Sequence, residues 1–343
     1  MRSTFFKIIA LAFLLGAIWF AVLWLVRAPI ASEFWLRELM IVKRSQVQKL
    51  PSPRIIVVGG SAVWFGVDAT LMERELERAC YNYGLHAALR PEWILDEVRK
   101  VVRTGDFLVL MVEDSFYKKN SNWDTWALRT AIAWNPDWID RLTFGEKAKA
   151  ILKAGTLDMA LEILQTKALQ AMHSPIIKKR VKSLDGEDAV LKRFSQEQGN
   201  YDGIVYAQSN IDDRGDVLHN EGCRYTGQGF GSAQHGKGFI SSHMKVLLSK
   251  FLGDMKAEGV KVVVAHAPSH LKDPANPHWV VIEENLRRDL GLLGVELIDY
   301  REDVIFSEGS FYDTPWHLNS EARKKRTASL IKAIKNCGLL NQP

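Results

Sequence analysis

The sequence predicts an α/β fold: a doubly wound parallel sheet, interrupted by a mostly helical insertion and preceded by an N-terminal transmembrane helix. Three observations carry this expectation. Short apolar, β-branched runs recur at 54–58, 106–112, 261–265 and 295–299, as fully buried parallel strands require. The last three each follow a helical pattern and a glycine (91–102 with Gly105, 241–257 with Gly259, 278–292 with Gly294), the alternation that builds a sheet covered on both faces. Finally, residues 8–26, IIALAFLLGAIWFAVLWLV, carry no charge, and at about 1.5 Å per residue they reach across a hydrocarbon core of about 30 Å.

The apolar segment reads as a retained anchor rather than a signal peptide. A signal peptide's apolar region is about 7–15 residues and ends at a small-x-small site, which Ala-Pro-Ile-Ala-Ser at 28–32 imitates poorly. Arg2 and Lys7 on one side compete with Arg27, Arg37, Lys43 and Arg44 on the other, so the positive-inside rule does not fix the orientation. A short tail is more easily kept inside than a long domain, so residues 1–27 are expected to form a cytoplasmic tail and anchor, with the body in the periplasm or outside. Residues 28–53 read as a charged amphipathic stalk that ends at the stiff Pro51-Ser52-Pro53. The α/β domain takes residues 54–118 and 239–343, with a weaker strand near 79–83. Between them, 119–238 reads as a helical insertion or cap: helical over 148–172, strand-like only at 203–206, and loop-like in the polar, Gly-rich tract 210–238.

Composition narrows the function. The chain has 343 residues, 47% hydrophobic and 25% charged, too apolar for disorder. A net charge of +5 carries no nucleic-acid footprint. Its three cysteines, Cys80, Cys223 and Cys337, form no C-x-x-C pair and lack histidines at ligand spacing, so neither a disulfide framework nor a structural zinc is implied, while one disulfide stays open; no metal or cofactor is expected. The 11 tryptophans are numerous; Trp123, Trp126, Trp134 and Trp138 gather at the start of the insertion, where packing, a glycan groove and bilayer contact are all compatible with them.

Two segments carry candidate chemistry. Gly59-Gly60-Ser61 follows the first strand, which puts a hydroxyl at the carboxyl edge of the sheet, where ligands of such folds gather. Asp313-Thr-Pro-Trp-His317 follows the last. A hydroxyl nucleophile needs a base, and the base needs an acceptor to fix its tautomer, so Ser61, His317 and Asp313 could form a relay. Taken singly, each segment also fits a plain turn or cap. His266 and His270 follow the run at 261–265 and should share that edge. His86, Glu113, Trp64 and Trp316 are placed to line a pocket, the tryptophans against a sugar ring or simply in the core. The basic runs 178–182 and 323–326 read as solvated faces.

These residues resemble those of the SGNH (GDSL-type) hydrolase superfamily, within it the membrane-anchored bacterial branch that includes alginate O-acetylation proteins and the DltD-like proteins of teichoic-acid D-alanylation. The similar segments are VVGGSAVWFGVDA (57–69), YNYGLHA (81–87), Gly105-Asp106 with the strand ending Val112-Glu113, and FYDTPWHLNSEARKKRT (311–327). The resemblance covers 53–118 and 240–335 and implies a flavodoxin-like sheet. It also implies Ser61 as nucleophile, His317 as base, Asp313 as its orienting acid, and an oxyanion hole from the amides of Ser61 and Gly84. Where the superfamily offers an oxyanion asparagine this chain has Glu113, a loss worth about 3 kcal/mol of transition-state stabilisation that leaves catalysis slow or assisted by another group such as Asn82. Asp313 and His317 are separated by three residues instead of the usual two. The resemblance further implies transfer or removal of an O-acyl group on a cell-surface polysaccharide, no cofactor, a membrane-bound O-acyltransferase as donor partner, and a place in the bacterial cytoplasmic membrane. Two other readings stand beside it: a non-catalytic scaffold of an exopolysaccharide assembly complex, and a DltD-like factor that esterifies an anionic polymer.

Overall fold

The computed structural model describes residues 2–25, 34–155, 158–161, 164, 186–200, 203, 205–227 and 239–338. Four strands form one all-parallel sheet: β1 (Ile55–Gly59), β2 (Cys80–Gly84), β3 (Phe107–Val112) and β4 (Lys261–His266), in the order β2-β1-β3-β4. β1, β2 and β3 are buried along their whole length, which is why they read as continuous apolar runs rather than alternating ones. On one face Ile55, Val57, Val109 and Val263 pack with Val63, Met72, Leu330 and Ile334, drawn from the helices Ser61–Gly66, Ala69–Leu76 and Ser320–Asn336. Helices Pro91–Arg99, Ser242–Ala257 and His278–Leu292 lie close to the expected spans.

Two expectations about strands need correction. Residues 295–299 do not form a strand; a single parallel bridge joins Leu297 to Val264. The Asp299 side chain accepts the backbone N–H of His266 at 2.9 Å, so a carboxylate takes a donor that a fifth strand's backbone would have used. Residues 205 and 206, in the strand-like stretch at 203–206, form a turn.

The expected stalk is also different. Phe34–Lys49 is a helix, and from Glu38 onward it belongs to the compact unit that holds the sheet, Glu38–Trp123 with Gly186–Pro343. Leu39, Val42, Lys43 and Val47 are fully buried there. The second half of the expected insertion, from Gly186, is part of this same unit. The other unit comprises Met1–Arg37 and Asp124–Asp185. In it, helix Arg2–Leu25 leaves Phe5, Phe13, Leu15 and Ile18 more than half exposed. Among the described residues no helix is long and apolar enough to cross a membrane; the far end of the expected span, Val26, lies outside them. Helix Phe144–Lys153 opens with a capping box between Thr143 and Glu146, four residues before the predicted start of the 148–172 helix, and it closes at Ala154, before Gly155 at φ 82°, so the predicted continuous helix is broken there. Residues 165–185, including the basic run 178–182, lie outside the described residues.

The basic run at 323–326 is only half solvated. Lys324 and Lys325 are exposed, but Arg326 is fully buried and bonds Asp299 at 2.6 Å, while Arg323 donates to the Val217 carbonyl at 2.6 Å. The three cysteines are free.

Candidate active site

The parallel register brings Gly59 level with Gly84 and Val112 level with His266, so these residues mark the carboxyl edge. Because β2 and β3 flank β1 on opposite sides, the chain reverses its winding at β1, and in open sheets of this kind the ligand crevice lies beyond the carboxyl ends of the strands at that switch point. Ser61 follows β1 by two residues, and Glu113 directly follows β3. Only glycine fits at 59 and 84: a Cβ there would land on the Met111 carbonyl and on the Trp64 backbone, respectively. The chain can therefore turn tightly enough to start the helix Ser61–Gly66 at the sheet edge.

His317 arrives from the other end of the chain. Its loop is closed by an antiparallel bridge between Phe311 and Leu318, and the N–H of Tyr312 donates to the His317 carbonyl at 2.7 Å. Directly after it, Asn319 caps the helix Ser320–Asn336, accepting the Ala322 N–H at 3.1 Å and donating to the Gly309 carbonyl at 2.9 Å. We expect Asn319→Ala to cost about 1–2 kcal/mol of stability, read as a lower urea midpoint at unchanged slope. A wild-type midpoint would show that the loop holds His317 without the cap.

The three residues singled out for a relay meet. His317 Nε2 lies 2.7 Å from Ser61 Oγ, and His317 Nδ1 lies 2.7 Å from Asp313 Oδ1. The longer Asp-to-His interval is absorbed by the closed loop and leaves the carboxylate in reach. Burial opposes the Asp313 charge, but hydrogen bonds from His317 and Tyr206 outweigh it and hold the carboxyl below its usual range. Ser61 and His317 are 5% and 6% exposed, so each shows only a small part of its surface to solvent.

No family model, curated protein or solved structure matches the chain. The site is therefore read from its own chemistry, and two residues that the sequence did not single out belong to it. Tyr206 donates to Asp313 Oδ2 at 2.6 Å and stands 3.2 Å from His317 Nδ1. Burial first, then the bond to Asp313, raises its phenol well above the usual range, so it stays a donor. Phe65 stacks flat on the His317 ring, with centroids 4.3 Å apart and planes 10° apart. An aromatic face in that position fixes the imidazole plane.

The other expected site residues are placed differently. Asn82 is fully buried; its amide nitrogen faces the carbonyls of Val63, Trp64 and Val67 at 3.1–3.2 Å and Asp216 Oδ1 at 3.1 Å. It ties down the last turn of the Ser61 helix instead of facing a substrate. Its Oδ1 accepts the Gly84 N–H at 3.0 Å, so the amide expected in an oxyanion hole is already engaged. Beneath Asn82, Lys43 donates to the carbonyls of Asn82 and Gly215 at 2.8 and 3.0 Å. Burial lowers its ammonium to about 7, against the pull of Asp216 and Asp212.

Trp64 is fully buried, with its ring edge-on to Tyr206 at 5.9 Å, and so offers no face to a sugar. Trp316 is half-buried in the His317 loop. His86 is half-buried, and its Nδ1 accepts the Ala88 N–H at 3.2 Å. His266 is buried and pairs with Glu283 at 2.7 Å. His270 lies against Phe311, with ring centroids 5.5 Å apart, and among the described residues no cluster of three or more ligating side chains could hold a metal. Glu113 is 7% exposed and accepts the Ala62 N–H at 3.2 Å.

Proposed function

We propose that this chain is an SGNH-like serine enzyme that transfers or hydrolyses an O-acyl group through an acyl-serine intermediate. The observation that carries the reading is the hydrogen-bonded run Ser61–His317–Asp313, at the crevice where the sheet reverses its winding. His317 Nε2 takes the Ser61 proton as Oγ bonds to the acyl carbonyl carbon. The tetrahedral adduct then expels the alcohol, which leaves with the proton returned by the imidazolium. A sugar hydroxyl or water, deprotonated by His317, attacks the acyl-serine and releases Ser61. Throughout, Asp313 holds the proton-bearing nitrogen of the imidazole away from Ser61.

The substrate we propose is an acyl, chiefly acetyl, ester on a cell-surface polysaccharide, handled by a body tethered outside the bacterial cytoplasmic membrane and supplied by a membrane-bound O-acyltransferase. The apolar, outward-facing side chains of the N-terminal helix support the tether; the polymer rests on the resemblance alone. A scaffold without catalysis is the second reading, favoured by one observation: the Gly84 amide is turned away from the crevice.

The full-length protein in detergent, treated with a fluorophosphonate, should gain one adduct on Ser61 by peptide mass spectrometry, and should hydrolyse p-nitrophenyl acetate. Ser61→Ala should show neither. Equal turnover by the two proteins, or an unlabelled Ser61, sinks the enzyme and leaves the scaffold.

A further inference from the structure

We propose that Glu113 works as a neutral carboxylic acid, donating a hydrogen bond to the acyl oxygen as negative charge develops on it. The proposal rests on the serine-enzyme reading above and adds the group that replaces the missing oxyanion donor.

The geometry starts at the crevice. Glu113 stands at the end of β3 and Ser61 just past the end of β1, on neighbouring strands. The carboxyl folds over the first turn of the Ser61 helix. Its Oε1 accepts the Ala62 N–H, and a Cβ on Gly60 would lie 2.6 Å from Oε1 and 2.8 Å from Oε2. Gly60 is thus the opening through which this side chain reaches the backbone on either side of the nucleophile. With Oε1 engaged by the Ala62 N–H, the acid's proton would sit on Oε2.

The accounting of donors gives this acid its role. An acyl oxyanion needs two or three N–H or O–H groups aimed at it. Gly84 N–H is spent on Asn82, and the Asn82 amide faces the helix carbonyls. Among the described donors, the Ser61 backbone N–H has no intrahelical acceptor, and the Glu113 carboxyl reaches the backbone on either side of Ser61, at Gly60 and Ala62. An ionised Glu113 would set a second negative charge against the developing one and oppose the reaction; the protonated form supplies a donor. Burial, the dominant influence, raises the carboxyl above its usual range, and Asp114 adds to this, while its own and the Ala62 N–H groups and His317 pull the other way. Among the titratable groups around it, His317 and Asp114 act on it electrostatically and Tyr117 follows it in the chain; the segment after β2 that reaches Gly60 at Ala87 carries His86, and the helix Ser61–Gly66 presents no charged side chain.

The sign of the pH effect follows. Activity needs protonated Glu113, so kcat should decline as pH rises through the Glu113 titration. The test compares full-length wild type, Glu113→Ala and Glu113→Gln with p-nitrophenyl acetate between pH 5 and 9. We expect Glu113→Ala to lower kcat by about 10²–10³-fold with KM within about threefold. Glu113→Gln, whose amide can donate in the same place, should stand at least about tenfold above the Ala variant and lack the alkaline decline. If the Ala variant fails to fold, the near-isosteric Gln variant carries the test through its pH profile.

A Gln variant as inactive as Ala, or one that keeps the wild-type alkaline limb, overturns the proposal. An Ala variant with wild-type kcat does the same. Failure of the serine-enzyme reading looks different: Ser61→Ala then turns over substrate as fast as wild type, whatever residue stands at 113.

Discussion

Asp106→Ala should lose about 3–5 kcal/mol of unfolding free energy, because it strands a fully buried guanidinium without its counter-ion. Arg54 and Asp106 both have no exposed side-chain surface. The Arg54 Nε lies 3.1–3.2 Å from both carboxylate oxygens, Nη2 also bonds Oδ2, Nη1 donates to the Val47 carbonyl, and Nη2 to the Val101 carbonyl. Asp106 further accepts the backbone N–H groups of Arg54 and Arg103 and the Ser52 hydroxyl. These residues immediately precede β1 and β3, whose first paired residues are Ile55 and Phe107. The pair therefore clamps the amino ends of the two central strands, at the opposite edge from Ser61. Since whole domains are stable by only about 5–15 kcal/mol, the urea midpoint should fall steeply, while Ser61 labelling per folded molecule should stay near wild type. A loss below about 1 kcal/mol would mean that water enters to solvate Arg54, so that the strand ends are held by backbone bonds alone.

The parallel strands were legible because burial on both faces demands unbroken apolar runs, and the glycines between helix and strand mark the turns. Residues 295–299 share that signature, but their pairing failed to extend because Asp299 uses its side chain on His266 N–H and on Arg326; no local pattern announces such a substitution. Charge misled in the same way at 38–49 and 323–326. Lys43 and Arg326 look solvated in sequence, but their partners, the Gly215 and Asn82 carbonyls and Asp299, lie 27 to 172 residues away. In the candidate site, Ser61, Asp313 and His317 could be found because each sits in a short segment at the end of a strand-like run and has the right chemistry. Tyr206 could not: it lies in an irregular segment with no periodicity, 111 residues from His317. Asn82 was misread for the opposite reason, since its position was right but its amide is satisfied inward by the helix carbonyls.

Asp313→Asn should lower kcat by about 10³–10⁴-fold, the scale expected when the acid that fixes a catalytic imidazole's tautomer is neutralised. In the wild type, Oδ1 pairs with Nδ1 and Oδ2 accepts the Tyr206 hydroxyl, so in the neutral imidazole the proton is held on Nδ1 and Nε2 faces Ser61 Oγ as an acceptor. Asn has one acceptor oxygen for these two donors. If its NH2 turns to Nδ1, the imidazole proton moves to Nε2 and His317 can no longer deprotonate the serine. If its oxygen stays, the negative charge that stabilises the imidazolium is still gone. Stability gives an independent readout. The folded-state pKa of Asp313 is lowered, so its contribution is complete above the unfolded carboxyl's titration near about pH 4 and fades as pH falls through the lower folded value. Wild type should therefore be more stable than Asp313→Asn at pH 7, with the gap closing in acid, while Tyr206→Phe should narrow the pH 7 gap by removing one of the bonds that hold the charge. A kcat loss below about tenfold in Asp313→Asn would assign the tautomer to Tyr206, whose hydroxyl is the remaining polar group within reach of Nδ1 among those bonded to His317.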